Sequence, residues 1–366
     1  MPKNTVNSKL RHGVYIMLVS ILIGANLATI ALMWASCLST LLDPAIHPRL
    51  SQAGLLFPVF LGIDLLFLLV WVIVSWKWIL LPVVGILGCW NYTKDFCPTN
   101  WFKETPETNY YKVLSFNVAG FANDEENDFD GWKTLDYITN SDADIIFLQE
   151  CPGSGTIYSR MKHKMDSLGY DVRSDGGIRI FSKWPLIGET IHTNVSYHGN
   201  GSYACLSKIE GDTILLINNH LQSNAISQQE KNDYGNAIEQ YDKDKMTASS
   251  RILFSRLTEA AAKRAEQTNM LCKLIKEYDK YSMIVGGDFN DTPISYTFQQ
   301  ISNLLNNAFT ESGNGMGISF NRKGFPVRID HIFTSRDLKT HDTFIDNEIK
   351  SSDHRPILSR VYKSAK

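Results

Sequence analysis

Gly286-Gly287-Asp288-Phe289-Asn290 follows directly on the apolar run Met283-Ile284-Val285. A short run of that kind reads as a buried strand. Two glycines and then a carboxylate and an amide read as the strand's end opening into a turn. In an open α/β sheet, ligands gather at the carboxyl ends of strands. A single pentapeptide of this sort is equally well an Asx turn in which Asp288 and Asn290 serve only their own backbone. Its recurrence along the chain bears on which reading holds.

Lys112-Val113-Leu114-Ser115-Phe116 ends on Asn117, and Asp144-Ile145-Ile146-Phe147-Leu148-Gln149 ends on Glu150. Thr213-Ile214-Leu215-Leu216-Ile217-Asn218-Asn219 leads to His220, and Val327-Arg328-Ile329 leads to Asp330-His331. Ser352-Asp353-His354-Arg355-Pro356 opens the last apolar segment, Ile357 to Tyr362. Taken singly, a strand-end Asp or Asn is a turn residue and a lone His a hydrogen-bonded core residue. Repeated through one domain, they are the residue types that metal-assisted hydrolysis uses.

The ordered set Asn117, Leu148-Gln149-Glu150, His220, Gly287-Asp288-Phe289-Asn290, Ile329-Asp330-His331 and Ser352-Asp353-His354 resembles the endonuclease/exonuclease/phosphatase superfamily, the DNase I-like metal-dependent phosphoesterases. The resemblance covers residues 110 to 363. It implies an α/β fold, a four-layer sandwich of two mixed β-sheets with helices outside, and Mg²⁺-dependent cleavage of a phosphoester by water.

The residue chemistry supports that implication independently. Mg²⁺ prefers oxygen ligands and is held by one or two carboxylates plus substrate phosphate, with Mn²⁺ a possible substitute. Glu150, with Asn117 beside it, suits that role. A carboxylate held by an amide can orient and deprotonate the attacking water, which suits Asp288 with Asn290. Fixed donors for the phosphoryl charge are available in His354, His220 and Asn290. The family resemblance further implies that Asp330 orients His354 and that Asp353 approaches a metal.

Between His220 and Met283 a polar segment, Ser227 to Lys245, precedes one long amphipathic helix with Leu253, Leu257, Leu271, Leu274 and Ile275 on its buried stripe. Arg264 and Gln267 share that stripe. They read either as a structural tie or as tentative substrate-binding residues, because a buried guanidinium demands a partner of some kind.

The first hundred residues are different material. Apolar segments at about 14–42 and 55–76 each reach the ~20 residues that cross a bilayer. A third, about 78–90, is shorter and contains Pro82, Gly85 and Gly88, so it reads as a short span or a re-entrant hairpin. Residues 1–92 are thus expected to form a helical transmembrane region, 93–109 a linker and 110–366 the catalytic domain. Lys3, Lys9, Arg11 and Lys77 favour a cytoplasmic N-terminus and, with three crossings, a multi-pass protein whose catalytic domain is extracytoplasmic. Asp64 inside the second span is a functional candidate unless it merely faces a neighbouring helix.

Residues 1–105 hold seven Lys+Arg and four Asp+Glu, which leaves 29 against 34 of the totals of 36 and 38 in the remainder. A net charge near −5 weakens a nuclease reading, since nucleic-acid binders carry a basic footprint. The acidic run Asp124 to Asp128 reads as a solvated loop. The six cysteines form neither a disulfide framework nor a zinc pattern, although Cys97 is placed to pair with Cys89. The expected partners are a lipid bilayer and a phosphoester, either a lipid headgroup or nucleic acid, with no protein partner. The alternative is a membrane-tethered binding or scaffold module on an inactive domain of the same fold. A dead domain is expected to lose Glu150, Asp288, Asn290 or His354, and none is missing.

Overall fold

The structure is a computed structural model that describes residues 3–102, 109–122, 130–193, 200–224, 243–322 and 325–363. The acidic run Asp124 to Asp128 and most of the polar segment Ser227 to Lys245 lie outside the described residues.

The N-terminal third is helical: α1 (Lys3–Leu38), α2 (Phe57–Val74), α3 (Leu80–Gly88) and α4 (Trp90–Phe96). The helices α1 and α2 run antiparallel. Tyr15 Oη donates to Val74 O at one end, while Met33 and Cys37 pack on Phe57 and Leu61 at the other. Midway, Asn26 Nδ2 donates to Asp64 Oδ1 at 2.7 Å and Trp71 Nε1 to Asn26 Oδ1 at 2.9 Å. A carboxylate buried in an apolar bundle requires such a donor, so Asp64 faces its neighbour. The third apolar segment forms the nine-residue α3. At ~1.5 Å per residue it is less than half of a ~30 Å hydrocarbon core, because Ser75 to Trp78 turns the chain before it starts. It lies against α1, with Trp34 Nε1 bonded to Gly85 O at 2.8 Å.

The remainder contains β1 (Tyr111–Asn117), α5 (Gly131–Asn140), β2 (Ile145–Gln149), α6 (Thr156–Ser167), β3 (Asp171–Asp175), β4 (Ile178–Ser182), β5 (Leu186–His192), β6 (Gly201–Ile209) and β7 (Asp212–His220). After these come α7 (Lys243–Glu277), β8 (Ser282–Asp288), α8 (Tyr296–Ser302), β9 (Asn306–Asn307), α9 (Ala308–Ser312), β10 (Phe320–Arg322), β11 (Phe325–Val327), β12 (Asp330–Thr334), β13 (Leu338–Ile345) and β14 (Ile357–Lys363). One six-stranded sheet has the order β13-β14-β1-β2-β4-β3 and the other β5-β6-β7-β8-β12-β9. Each is mixed, with a parallel pair, β1/β2 or β7/β8, flanked by antiparallel strands.

The apolar runs explain the layers, because strands buried on both faces need no alternation. Val113, Phe147, Ile180, Cys205, Leu216, Ile284 and Ile332 fill the space between the sheets. Outward residues such as Leu114, Ile146 and Leu148 pack with α5 and α6, and Leu215, Val285 and Phe333 with α7 and α8. The result is the expected four-layer α/β sandwich of two mixed sheets, preceded by an apolar helix pair.

The double glycine has a reason beyond a soft turn. A Cβ on Gly286 falls 2.4 Å from the ring of Phe147 on the facing sheet, and one on Gly287, where φ is +139°, falls 2.1 Å from Asn219 O. The sheets approach closely at the site. The expected linker is docked over its first half: Asn100 N–H bonds Asn314 Oδ1, and Arg328 donates to Asp95 O. All six cysteines are free thiols, and Cys89 sits in the helical cluster with Cys37 instead of pairing with Cys97.

Candidate active site

Strand register gathers the polar residues on one rim. β1 ends on Asn117 and β7 on His220, β8 ends on Asp288, β12 begins on Asp330, and Glu150 follows β2 directly. Asp288 stands opposite both His220 and Asp330 in the ladder. His354 precedes β14 and bridges to Phe320, whose ring centroid lies 5.0 Å from its own. Glu150 and Asn290 adopt φ of +51° and +52°. Non-glycine residues held in this region carry strain that gathers at functional sites.

Asn117 is fully buried and donates from Nδ2 to Glu150 Oε1 and to Asp288 Oδ2, both at 3.0 Å, while its Oδ1 accepts from Ala119 N–H. It thus bridges two carboxylates through its nitrogen; its oxygen is engaged elsewhere. Asp288 is 1% exposed and its Oδ1 accepts from Asn290 N–H at 2.8 Å. Asn290 in turn bonds Leu221 O through Nδ2. Burial raises the proton affinity of Asp288, and the neighbouring His354 opposes that rise.

His354 Nδ1 bonds Asp330 Oδ2 at 2.8 Å and its Nε2 lies 3.6 Å from Asp288 Oδ2. Burial disfavours charge on this imidazole, yet Asp330 and Asp288 outweigh it and push His354 up to about 10, with Asp353 adding to the pull. The two carboxylates thus favour the protonated, cationic imidazole. Ser319 Oγ accepts from the Asp330 N–H, and Ser352 Oγ accepts from the His354 N–H while donating to Asn117 O. His220 Nε2 lies 3.6 Å from Glu150 and 3.9 Å from Asp288 with no hydrogen-bond partner among the described residues. It is a buried group aimed into the rim without an acceptor.

Two carboxylate groupings are candidates for a cation. Asp288, Asp330 and His354 converge within 4.8 Å. Their facing atoms are already engaged with each other and buried, as an ion pair rather than an open site. Glu150 differs: its side chain is 46% exposed, and among the described residues only its Oε1 is engaged. Oxygen donors around an open carboxylate fit a hard divalent ion.

Arg264 and Gln267 point elsewhere. Arg264 is 2% exposed and donates to Gln222 O, Asn224 Oδ1 and Asp291 Oδ2. Gln267 accepts from Gln222 N–H and donates to Asn200 O. Both brace loops at the rim, contacts that support the structural tie over a substrate contact. Sequence reasoning missed the polar clamp in which Gln149 Nε2 bonds Asn218 Oδ1 at 2.6 Å and Asn218 Nδ2 bonds Leu148 O and Arg179 O. An Asn at the end of an otherwise apolar run was the available signal. It also missed Ser319 and Phe320, which carry no motif.

The model of the Endonuclease/Exonuclease/phosphatase family matches residues 114–354, and a domain of unknown function, DUF8431, matches residues 19–96. No curated protein matches by sequence. Among solved structures, the chain is similar to truncated TDP2 of Caenorhabditis elegans, with 17% identity, a TM-score of 0.47, and coverage of 69% of this chain and 98% of that one. It is similar also to an endonuclease/exonuclease/phosphatase from Beutenbergia cavernae, with 15% identity, a TM-score of 0.49, and coverage of 70% and 72%. The human Nocturnin catalytic domain with bound sulfate gives 15% identity, a TM-score of 0.49, and coverage of 70% and 94%. Likeness at this level carries no argument about chemistry. The sequence match does, since it runs from the strand that carries Asn117 to His354 itself: the chain belongs to the Endonuclease/Exonuclease/phosphatase family, hydrolases of phosphoester bonds.

Proposed function

We propose that this protein is a membrane-anchored phosphoesterase that depends on Mg²⁺ and uses Asp288 and His354 on opposite sides of one attack. The observation that carries the reading is the buried series Asn117–Asp288–His354–Asp330 beside the half-exposed Glu150. Glu150 would hold the cation, with Asn117 fixing its carboxylate and Asp353, next to His354 in the chain, as a second carboxylate. When bound, the ion supplies charge for the phosphate oxygens. Asp288, held by Asn117 and the Asn290 N–H, orients the attacking water and takes its proton. The cationic His354, set by Asp330, and His220 donate to the phosphoryl oxygens as charge develops.

The anchoring rests on two helices long and apolar enough to cross a membrane, of which only 22% of each span's most apolar window is buried. A core helix of a soluble protein would be mostly covered. The connection between α1 and α2 packs on the catalytic domain, because Gly54 abuts Ile294 and the 3₁₀ turn Ser39–Leu41 lies against α8. That contact supports a catalytic domain on the face opposite the N-terminus, the third crossing being made by α3 and α4 in succession because α3 alone is too short, with residues 1–92, 93–109 and 110–366 as helical region, connector and enzyme. Lys3, Lys9, Arg11 and Lys77 then make that face extracytoplasmic.

The test uses the full chain in nanodiscs with Mg²⁺ and a panel of plasmid DNA, RNA, phosphatidylinositol phosphates, sphingomyelin and an aryl phosphodiester. Turnover abolished by EDTA and restored by Mg²⁺ or Mn²⁺ is expected, with Glu150→Gln raising the cation concentration needed by about tenfold or more. Full activity in chelator would end the mechanism.

A further inference from the structure

The loop that leaves Asn290 runs onto the helical region. Thr292, Pro293 and Ile294 pass Gly54 and Leu55, and beside them lies a cavity of about 190 Å³. Leu55, Pro58, Ile294, Met316, Ile318 and Val327 give it an apolar lining. Arg328 also borders it; its two terminal nitrogens donate to Met316 O and Asp95 O and its guanidinium lies over the face of Phe309, while Nε is buried without a hydrogen-bond partner among the described residues. A cavity lined mostly by apolar side chains holds water poorly.

Its position is as informative as its chemistry. One wall is the start of the candidate span Leu50–Val74, and the exposed Leu55, Leu56 and Val59 continue from it along the apolar helix surface. The second wall is the loop that follows Asn290, and the third is the segment that leads through Val327, Arg328 and Ile329 to Asp330. The cavity thus joins the bilayer end of α2 to the two segments that carry the site.

We infer that this cavity receives a hydrocarbon chain of the substrate, a phosphoester lipid taken from the bilayer, so that the headgroup phosphate is presented to the rim while the chain stays in an apolar path. The inference rests on the phosphoesterase reading and names its substrate class. A nucleic acid is a poor occupant, since a polyanion requires exposed cations and the guanidinium that borders the cavity is buried with both terminal nitrogens engaged. A slender apolar chain arriving from the bilayer matches the lining and the opening alike.

The experiment places the full chain in phosphatidylcholine nanodiscs containing a phosphatidylcholine with a diazirine on its acyl chain, and maps the photolabel by mass spectrometry. Label is expected on Met316 or Ile318, which lie outside the spans. Leu55→Trp, which fills the cavity, should cut it by about tenfold, whereas Leu55→Ala should retain it. Met316→Trp provides the same test should Leu55→Trp misfold. In parallel, turnover of long-chain phosphatidylcholine, phosphatidylglycerol and sphingomyelin is compared with that of a water-soluble aryl phosphodiester. The long-chain to soluble ratio should fall by about tenfold in the filled variant. Aryl diester turnover without label at Met316 or Ile318, or label indifferent to filling, overturns the inference and leaves the phosphoesterase standing. Label without turnover of any phosphoester overturns both.

Discussion

His354 Nδ1 and Asp330 Oδ2 lie 2.8 Å apart, and the other nitrogen of the same ring faces Asp288 at 3.6 Å. The imidazole is fixed between two carboxylates, so Asp330 acts through it as a positioning residue. Asp330→Asn keeps the size and removes the charge. It is expected to lower kcat by about 10²-fold with KM little changed, because the loss falls on the transition state. Steady-state kinetics on the full chain measure it, and an unaltered kcat would remove Asp330 from the account.

Arg264 is expected to behave in the opposite way. Its side chain is 2% exposed and ties Gln222, Asn224 and Asp291 together. Arg264→Ala leaves buried acceptors unpaired and should cost about 2–4 kcal/mol of stability. Thermal melting should shift by several degrees while kcat at a permissive temperature changes less than tenfold. A kcat collapse without a shift in Tm would make the guanidinium a substrate contact.

Acid should weaken the fold through His331. Burial first, and then the charge of Arg328, lower its imidazole from 6.5 to about 3, against the bond that Nε2 makes to Asp291 O. The folded chain therefore binds fewer protons than the unfolded chain between those values. Its contribution to stability is full above pH 6.5 and is lost as pH falls toward 3. Tm measured from pH 7 to pH 4 should drop, and His331→Gln should flatten that drop. An unchanged slope contradicts the assignment.

The proposed topology puts Lys77 and the catalytic domain on opposite faces. Lys77 and Ser167 are both exposed. In intact cells a membrane-impermeant thiol reagent should label Ser167→Cys and reach Lys77→Cys only after lysis. The reverse pattern, or equal labelling, contradicts the topology.

Much of this was legible in the sequence because strands buried on both faces announce themselves as apolar runs, and their last residues fall on one rim. Asn117, Glu150, His220, Asp288, Asp330 and His354 were found in that way, and they are neighbours in space. What was not legible depends on pairs distant in the chain. Nothing in Gly286 shows that Phe147 will lie across from it, and nothing in Asn218 shows that its amide will span to Leu148 and Arg179. The docking of residues 93–102 has the same cause: Asn100 and Asp95 find their partners more than 200 positions away. Composition made Arg264 ambiguous, since a buried cation reads alike whether its partner is a loop or a phosphate.

The central claim is that Asp288 and His354 serve one transition state. The direct measurement is kcat for Asp288→Asn, His354→Ala and the double variant, in nanodiscs with Mg²⁺, on whichever substrate the panel reveals. Each single change should cost about 10²-fold or more, and the double far less than the product of the two, as expected of groups that act together. Wild-type turnover in both single variants would contradict the account, and would make the site inherited architecture on a membrane-tethered binding module.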